Sequence, residues 1–290
     1  MENRLLKYKE LRLNEGIDIK LSPYKNVKEV SLTDKHENGV NTSITNNPTK
    51  KIYTMDDGNK VTIYSIFQRN SGIKNMDGNP LLYALKKEKG FAFASPYEEK
   101  QFWLRFENII DKFISEFNND IVVINPINPR IKGTSGILVP SSKPINKRIA
   151  DILVTHSGIT IIDDILRKKT WFEIFDSCND VNSYFYKYWN KKRKADYMLD
   201  YFYDNYVTDG TFKIHDISNE DSELRKSITN TLTLNDNIED YYPVINGKDI
   251  LIIDDTITMC QTFKSAYNIL INNYIPKSIT GLTMFSEKVK

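Results

Sequence analysis

The period of the apolar positions changes along this chain, and the changes mark out its elements. Through about residue 66 no helical period runs cleanly. Ile52-Tyr53-Thr54-Met55 and Lys60-Val61-Thr62-Ile63-Tyr64-Ser65-Ile66-Phe67 are rich in β-branched and aromatic residues, and Asp56-Asp57-Gly58-Asn59 lies between them. Turn chemistry between two such runs predicts a hairpin. The polar run from Thr33 to Lys51, with Asn46-Asn47-Pro48, reads as a loop. Asp77-Gly78-Asn79-Pro80 is a turn signal, and Leu81 to Lys86 follows as a short helix. Residues 1–95 are therefore expected to form an antiparallel β appendage packed on a core that fills 96–290. Beyond them the period lengthens. Pro96 at a helix start and apolar residues at 102, 106, 109, 110, 113, 114 and 117 predict an amphipathic helix over about 97–117.

From Asp120 short β-rich runs alternate with helical patterns, the signature of a parallel sheet flanked by helices. Ile121-Val122-Val123-Ile124 and Ile137-Leu138-Val139 read as strands, and Ile145, Ile149, Ile152 and Leu153 fall at helical spacing. Ile250-Leu251-Ile252-Ile253 is an unbroken apolar run, as expected of a strand covered on both faces. A helix pattern follows over Phe263 to Leu270. Ile279 to Ser286 is the last strand, completing the sheet, and Glu287-Lys288-Val289-Lys290 is left as a tail.

Composition narrows the class. Apolar residues make up 40% of the 290-residue chain and charged residues 27%, which suits a soluble protein with a sizeable core. A net charge of +2 argues against a dedicated nucleic-acid binder. The two cysteines, Cys178 and Cys260, exclude a disulfide framework or a Cys-rich zinc site, and His36, His156 and His215 have no metal-ligand company in sequence. No apolar run approaches a membrane span, and the polar start Met1-Glu2-Asn3-Arg4 does not resemble a signal peptide, so a cytoplasmic location is expected.

The chemistry concentrates after the strand at Ile250–Ile253. Two acids, Asp254 and Asp255, stand at its carboxyl end, where ligands gather in open α/β sheets. Thr256, Thr258 and Thr262 follow, at the entrance to a helix whose N-terminal N–H groups form an anion cradle. Two carboxylates suit a sugar diol or Mg²⁺, and the cradle suits a phosphate on that sugar. The bland alternative is a buried strand with an Asp-Thr helix cap. In its order of apolar strand, Asp-Asp and Thr-rich loop, the stretch resembles the phosphoribosyl pyrophosphate (PRPP) motif of the type I phosphoribosyltransferases. The resemblance implies that Asp254 and Asp255 take the ribose hydroxyls and that Thr256, Ile257, Thr258, Met259, Cys260, Gln261 and Thr262 take the 5′-phosphate. One departure stands out: Met259-Cys260 replaces the small residue and Gly usual in the family, and without Gly close backbone approach is harder.

A second strand–loop–helix junction lies upstream at Pro140-Ser141-Ser142-Lys143-Pro144. By resemblance, Ser141, Ser142 and Lys143 hold the pyrophosphate; read on its own, the junction is equally a Ser-capped helix with a solvated lysine. Ile159-Thr160-Ile161-Ile162-Asp163-Asp164 repeats the acidic doublet but leads into Ile165-Leu166-Arg167-Lys168-Lys169 without a Thr-rich loop, so Asp163-Asp164 is taken as a decoy. This block, with Leu224-Arg225-Lys226-Ser227-Ile228-Thr229-Asn230, is similar to the ComF-like branch of the superfamily, which implies that Lys168, Lys169 and Arg225 close over the pyrophosphate. Residues 171–220 are then an insert, expected to be a helical lid. Its run from Tyr184 to Tyr203 interleaves aromatics with Lys191-Lys192-Arg193-Lys194, a pattern that also fits strand-stacking on nucleic acid, although Asp196, Asp200 and Asp204 would repel phosphates.

Together these expectations describe an α/β protein with a type I phosphoribosyltransferase-like parallel sheet flanked by helices, an N-terminal antiparallel β appendage and an inserted lid. The implied activity is transfer of ribose 5-phosphate from PRPP, with Mg²⁺, to a nucleobase-like nitrogen heterocycle, releasing pyrophosphate. Asp254, Asp255, Lys143 and Arg225 are the implied catalytic residues, and Mg²⁺ reaches the protein through PRPP. A PRPP sensor without turnover and a nucleic-acid-associated base-modification enzyme are the rival expectations. The resemblance is compatible with a homodimer and calls for no membrane partner.

Overall fold

A computed structural model describes residues 28–31, 40–43, 46–70, 79–86, 91–113, 115, 120–124, 145–169, 173, 207–208, 211–212, 232–235, 238–257 and 260–289. In chain order these form β1 (Lys28–Val30), β2 (Val40–Asn41), β3 (Thr49–Thr54), β4 (Lys60–Asn70), α1 (Asn79–Lys86), β5 (Phe91–Phe93), α2 (Pro96–Phe113), β6 (Ile121–Ile124) and α3 (Ile145–Ser157). Then come β7 (Thr160–Ile162), β8 (Leu166–Lys168), β9 (Val207–Thr208), β10 (Thr211–Phe212), β11 (Leu232–Leu234), α4 (Tyr242–Ile245), β12 (Asp249–Thr256), α5 (Gln261–Asn273) and β13 (Ser278–Val289).

The apolar run at Ile250–Ile253 becomes the middle of the main sheet. β12 pairs in parallel with β6 on one edge and with β13 on the other, and the full strand order is β2-β4-β13-β12-β6-β7, with β3 also on β4. Ile250, Leu251, Ile252 and Ile253 are each 0% exposed. Burying four such side chains contributes roughly 6–12 kcal/mol before conformational entropy is subtracted. Alternation sorts them. Leu251 and Ile253 join a core with residues of α1, α2 and α3, whereas Ile250 and Ile252 join one with α5, β8 and β11. The sheet is thus covered on both faces, as its unbroken apolar strand requires.

Chain direction produces a reversal at the centre of the sheet. From β6 the chain passes through α3 to β7 on one side; from β12 it passes through α5 to β13 on the other. Counting from β6, the strands lie in the order 2-1-3-4 of a doubly wound sheet, whose switch point falls between the carboxyl ends of the first and third strands, here β6 and β12.

Several sequence expectations need correction. The hairpin forms, with Thr54 opposite Lys60, and Gly58 takes the positive φ of 84° that its turn requires. Its second strand is no appendage, however, because β4 pairs in parallel with β13 from Ile63–Gly281 onward and belongs to the main sheet. The sheet therefore crosses the division expected at residue 95. Asn79 and Pro80 open α1 rather than forming a separate turn, consistent with the tolerance of Pro in a first helical turn. Residues 287–289 are no tail: β13 continues through them, with Lys288 opposite Arg69 and Val289 opposite Asn70. Thr49–Lys51, expected in a loop, belong to β3. The strand expected at 137–139 lies outside the described residues. Of the expected insert over 171–220, Glu173 and the antiparallel pair β9–β10 are described.

The hairpin turn is fastened to α5 by polar contacts. Lys264 Nζ reaches Asp56 Oδ1 at 3.1 Å, Asn268 Nδ2 donates to Asp56 Oδ2 at 2.9 Å, and the Tyr267 hydroxyl donates to Asp57 Oδ2 at 3.0 Å. Beneath them Gly281 lets Phe263 close on the sheet, since a Cβ there would stand 2.5 Å from Phe263 Cε2 and 3.0 Å from Ile63 Cγ1.

Two outcomes follow from this packing. Gly281→Ala is expected to destabilise the protein by about 1–3 kcal/mol through overpacking, read as a lower midpoint in chemical denaturation at unchanged slope. The Asp56 carboxyl is held below its usual value by the Asn268 amide and then by Lys264, and that of Asp57 chiefly by the Asn59 backbone N–H. Because both values are depressed on folding, the stability they contribute is present above the unfolded value of about 3.9 and is lost as pH falls through the folded values. Melting temperatures taken between about pH 5 and pH 2 should fall less steeply in Asp56→Asn than in the unaltered protein.

Candidate functional site

The carboxyl end of β12 gathers polar groups from three parts of the chain. Asp254, Asp255 and Thr256 are still in the strand, with Asp254 opposite Thr283 and Thr256 opposite Phe285. Consecutive strand residues point to opposite faces, so the doublet is split. Asp255 continues the series of Leu251 and Ile253 and meets Lys86, the last residue of α1, in an ion pair whose side chains are only 10% (Lys86) and 16% (Asp255) exposed. Asp254 continues the series of Ile250 and Ile252 toward α5. There its charge adds to the burial that raises the pKa of Cys260, and its Oδ1 accepts the Asp255 N–H at 2.9 Å. Thr256 shares the Asp254 face, and its buried Oγ1 has no hydrogen-bond partner among the described residues. A buried hydroxyl without a partner costs about 1–3 kcal/mol, which a ligand oxygen would recover.

The bend that follows delivers α5 to the same place. Ile257 N–H donates to the Phe285 carbonyl at 3.1 Å, extending the ladder by one residue, and the Ile257 side chain is buried. Cys260 then adopts φ 60°, ψ 10°, and caps α5 without a side-chain hydrogen bond. It is the one non-glycine with positive φ among the described residues, a conformation costing roughly 1–2 kcal/mol for a residue with a Cβ. Here a cysteine occupies a backbone conformation that favours glycine. The thiol is 5% exposed, and burial pushes its pKa up to about 12. The first intrahelical bond of α5 runs from Lys264 N–H to the Cys260 carbonyl at 2.8 Å. The N–H groups of Gln261, Thr262 and Phe263 precede it as the orphan donors of the helix end, and they supply the partial positive charge that attracts an anion.

Some predicted residues do not serve as expected. Ile257 cannot donate its N–H to a phosphate, because the Phe285 carbonyl takes it, and Cys260 turns its side chain into the α5 core. Asp254 and Asp255 do not present their carboxylates side by side on one face. Thr256, Gln261 and Thr262 remain near the helix entrance, while Thr258 and Met259 lie outside the described residues, as do Ser141, Ser142, Lys143 and Arg225. Lys168 ends β8, which pairs antiparallel with β11 and packs on the α5 side, and Lys169 follows it. Asp163, the first acid of the decoy doublet, holds Lys147 Nζ at 2.8 Å on the surface. Hydrogen bonding to Asp164, with burial second, pushes the Tyr241 hydroxyl up to about 12. The basic run at 191–194 lies outside the described residues.

Sequence inspection missed two cations at this end of the sheet. Lys86 closes a short helix and carries no motif. Arg69, at the end of β4, is 3% exposed. Its Nε donates to the Ser286 carbonyl at 2.7 Å and its Nη2 approaches the Ile257 carbonyl at 3.5 Å, so it ties the end of β13 to the bend after β12. The only sequence signal for Arg69 is a charge ending an apolar strand, and placing it required knowing that β4 lies in the main sheet.

In comparison with known proteins, no family model matches the chain, and no curated protein gives a significant match.

The geometry of Cys260 yields a direct check. Cys260→Val should destabilise the fold by about 1–2 kcal/mol, because a β-branched residue resists a left-handed backbone. Cys260→Gly should stay within about 1 kcal/mol of the unaltered protein, since relief of backbone strain offsets the lost burial. In the native protein at about pH 8 the Cys260 thiol should resist iodoacetamide and react only after denaturation, as peptide mass mapping would show.

Proposed function

We propose that the protein is a phosphoribosyltransferase of type I architecture that binds PRPP with Mg²⁺ at the carboxyl end of β12 and transfers ribose 5-phosphate to a nitrogen heterocycle. The observation that carries this reading is a coincidence of position. The switch point of the sheet, the Asp254 carboxylate, the unpartnered Thr256 hydroxyl and the orphan N–H groups of α5 all fall at one strand end. Ligands of doubly wound sheets bind in that crevice, and an acid beside a helix N-terminus suits a sugar hydroxyl beside a phosphate. The donor set is hard oxygen, which also suits Mg²⁺.

In this reading the acceptor nitrogen attacks the anomeric carbon while the bond to the pyrophosphate oxygen breaks, and the electron pair leaves with pyrophosphate. Charge on the ring is positive in the transition state. Asp254 orients the sugar and offsets that charge, and the N-terminus of α5 fixes the 5′-phosphate so that carbon and nucleophile stay in line. Mg²⁺ would reach the site on the ligand and, when bound, would supply positive charge for the leaving oxygens. The resemblance adds Ser141, Ser142 and Lys143 on the connection that leaves the neighbouring strand β6, together with Lys168, Lys169 and Arg225 for the leaving group.

A second reading, a PRPP sensor without turnover, is favoured by the bend itself. A Cβ at the left-handed Cys260 hinders close approach of a ligand to the backbone, and the N–H of Ile257 is already spent on the Phe285 carbonyl. Calorimetric titration with PRPP and Mg²⁺ should give a Kd within roughly 1 µM to 1 mM, and Asp254→Asn combined with Asp255→Asn should weaken it about a hundredfold or more. Unchanged binding in the double variant counts decisively against the site. Pyrophosphate release on adding a panel of nucleobases marks an enzyme; binding without release under every acceptor marks the sensor.

A further inference from the structure

Among the described residues, a cation paired with the acid doublet comes from the opposite half of the chain. Lys86 sits at the end of α1, and α1 is anchored by Leu81, Leu82, Ala84 and Leu85, all buried in the core shared with α2 and α3. Its ammonium is therefore placed by a packed helix and reaches Asp255 Oδ2, with both side chains largely withdrawn from water. A withdrawn carboxylate needs such a partner. Here the partner also changes what a ligand meets. Two ionised acids at consecutive positions would present two negative charges to a sugar phosphate that is itself a multiple anion, and such repulsion is strong where water is excluded.

We propose that Lys86 is a positioning residue of this site. It acts through Asp255, cancelling the charge of a carboxylate that strand alternation has already turned to the α1 face of β12. Asp254 is then the acid that faces the sugar, and an anionic ligand meets one net negative charge from the doublet and its cation rather than two. The inference rests on the sugar-phosphate reading above and divides the doublet into a contact acid and a supported acid, a division dictated by strand alternation.

The test is calorimetric titration of Mg²⁺ and PRPP into the full chain at fixed salt, with the melting temperature of each variant measured alongside. Lys86→Met should weaken binding about tenfold or more, and Lys86→Arg, which keeps the charge, should stay within about threefold of the unaltered protein. The Lys86→Met/Asp255→Asn double variant should bind within about threefold of the unaltered protein, because removing both members of the pair restores one net negative charge, whereas Asp255→Asn alone, which leaves the cation in place, should bind at least as tightly as the double variant. That last comparison stands even if Lys86→Met alone fails to fold, since the double variant leaves no orphan charge. Binding by Lys86→Met equal to that of the unaltered protein overturns the inference. So does a double variant that binds as weakly as Lys86→Met, about tenfold or more below the unaltered protein, which would make Lys86 a direct ligand contact. Either result leaves the sugar-phosphate reading standing, whereas no binding by the unaltered protein overturns both.

Discussion

Hydrogen bonding along both edges of β12, together with burial of both its faces, leaves that strand no alternative register. Slipping by one residue would carry Leu251 and Ile253 into the α5 core and Ile250 and Ile252 into the opposite one, against differently shaped neighbours. The fixed register then dictates the chemistry at the strand's end. Because Ile253 faces the α1–α3 side, Asp254 must face α5 and Asp255 must face α1. The partners of the two acids, the bend before α5 for one and Lys86 for the other, are consequences of how four aliphatic side chains pack.

The same constraint accounts for the strain beside it. The chain leaves β12 with Ile257 still bound to Phe285 and still buried, and α5 must start close enough for Phe263 to fill the space above Gly281. Reversal within so few residues takes a left-handed backbone at Cys260, and the buried contacts on either side hold it there. Observed strain at a strand-to-helix junction is a pointer to function when polar groups converge on it, and here the Thr256 hydroxyl and the N-terminus of α5 do converge.

Local pattern made much of this legible. The β12 strand, the α2, α3 and α5 helices and the β3–β4 hairpin are all short-range features, fixed by period, turn residues and breakers, and each formed where expected, although β3, β12, α3 and α5 run three or four residues past the expected limits at one end. What the pattern could not show is pairing across the chain. β4 looks like half of a hairpin because its antiparallel partner is adjacent, and nothing local reveals that its other edge lies against β13. Arg69 and Lys86 escaped notice for that reason, since each becomes part of the site only through an element far away in sequence. The split of the acids was within reach: alternation follows from strand geometry alone once Asp254 and Asp255 are assigned to the strand rather than to the loop after it.

The parallel pairing of β4 with β13 also sets a timetable for synthesis. Ser65 and Thr283, joined hydroxyl to hydroxyl at 2.8 Å, are 218 residues apart. At the usual pace of a ribosome that separation lasts roughly 10–45 s, during which the hairpin has one strand edge without its lasting neighbour. Exposed edges of this kind invite pairing with other chains. The lysines at 50 and 51 on β3 and the arginine at 69 put charge along the waiting ribbon, a defence suited to a nascent chain whose sheet is sealed only when β13 arrives.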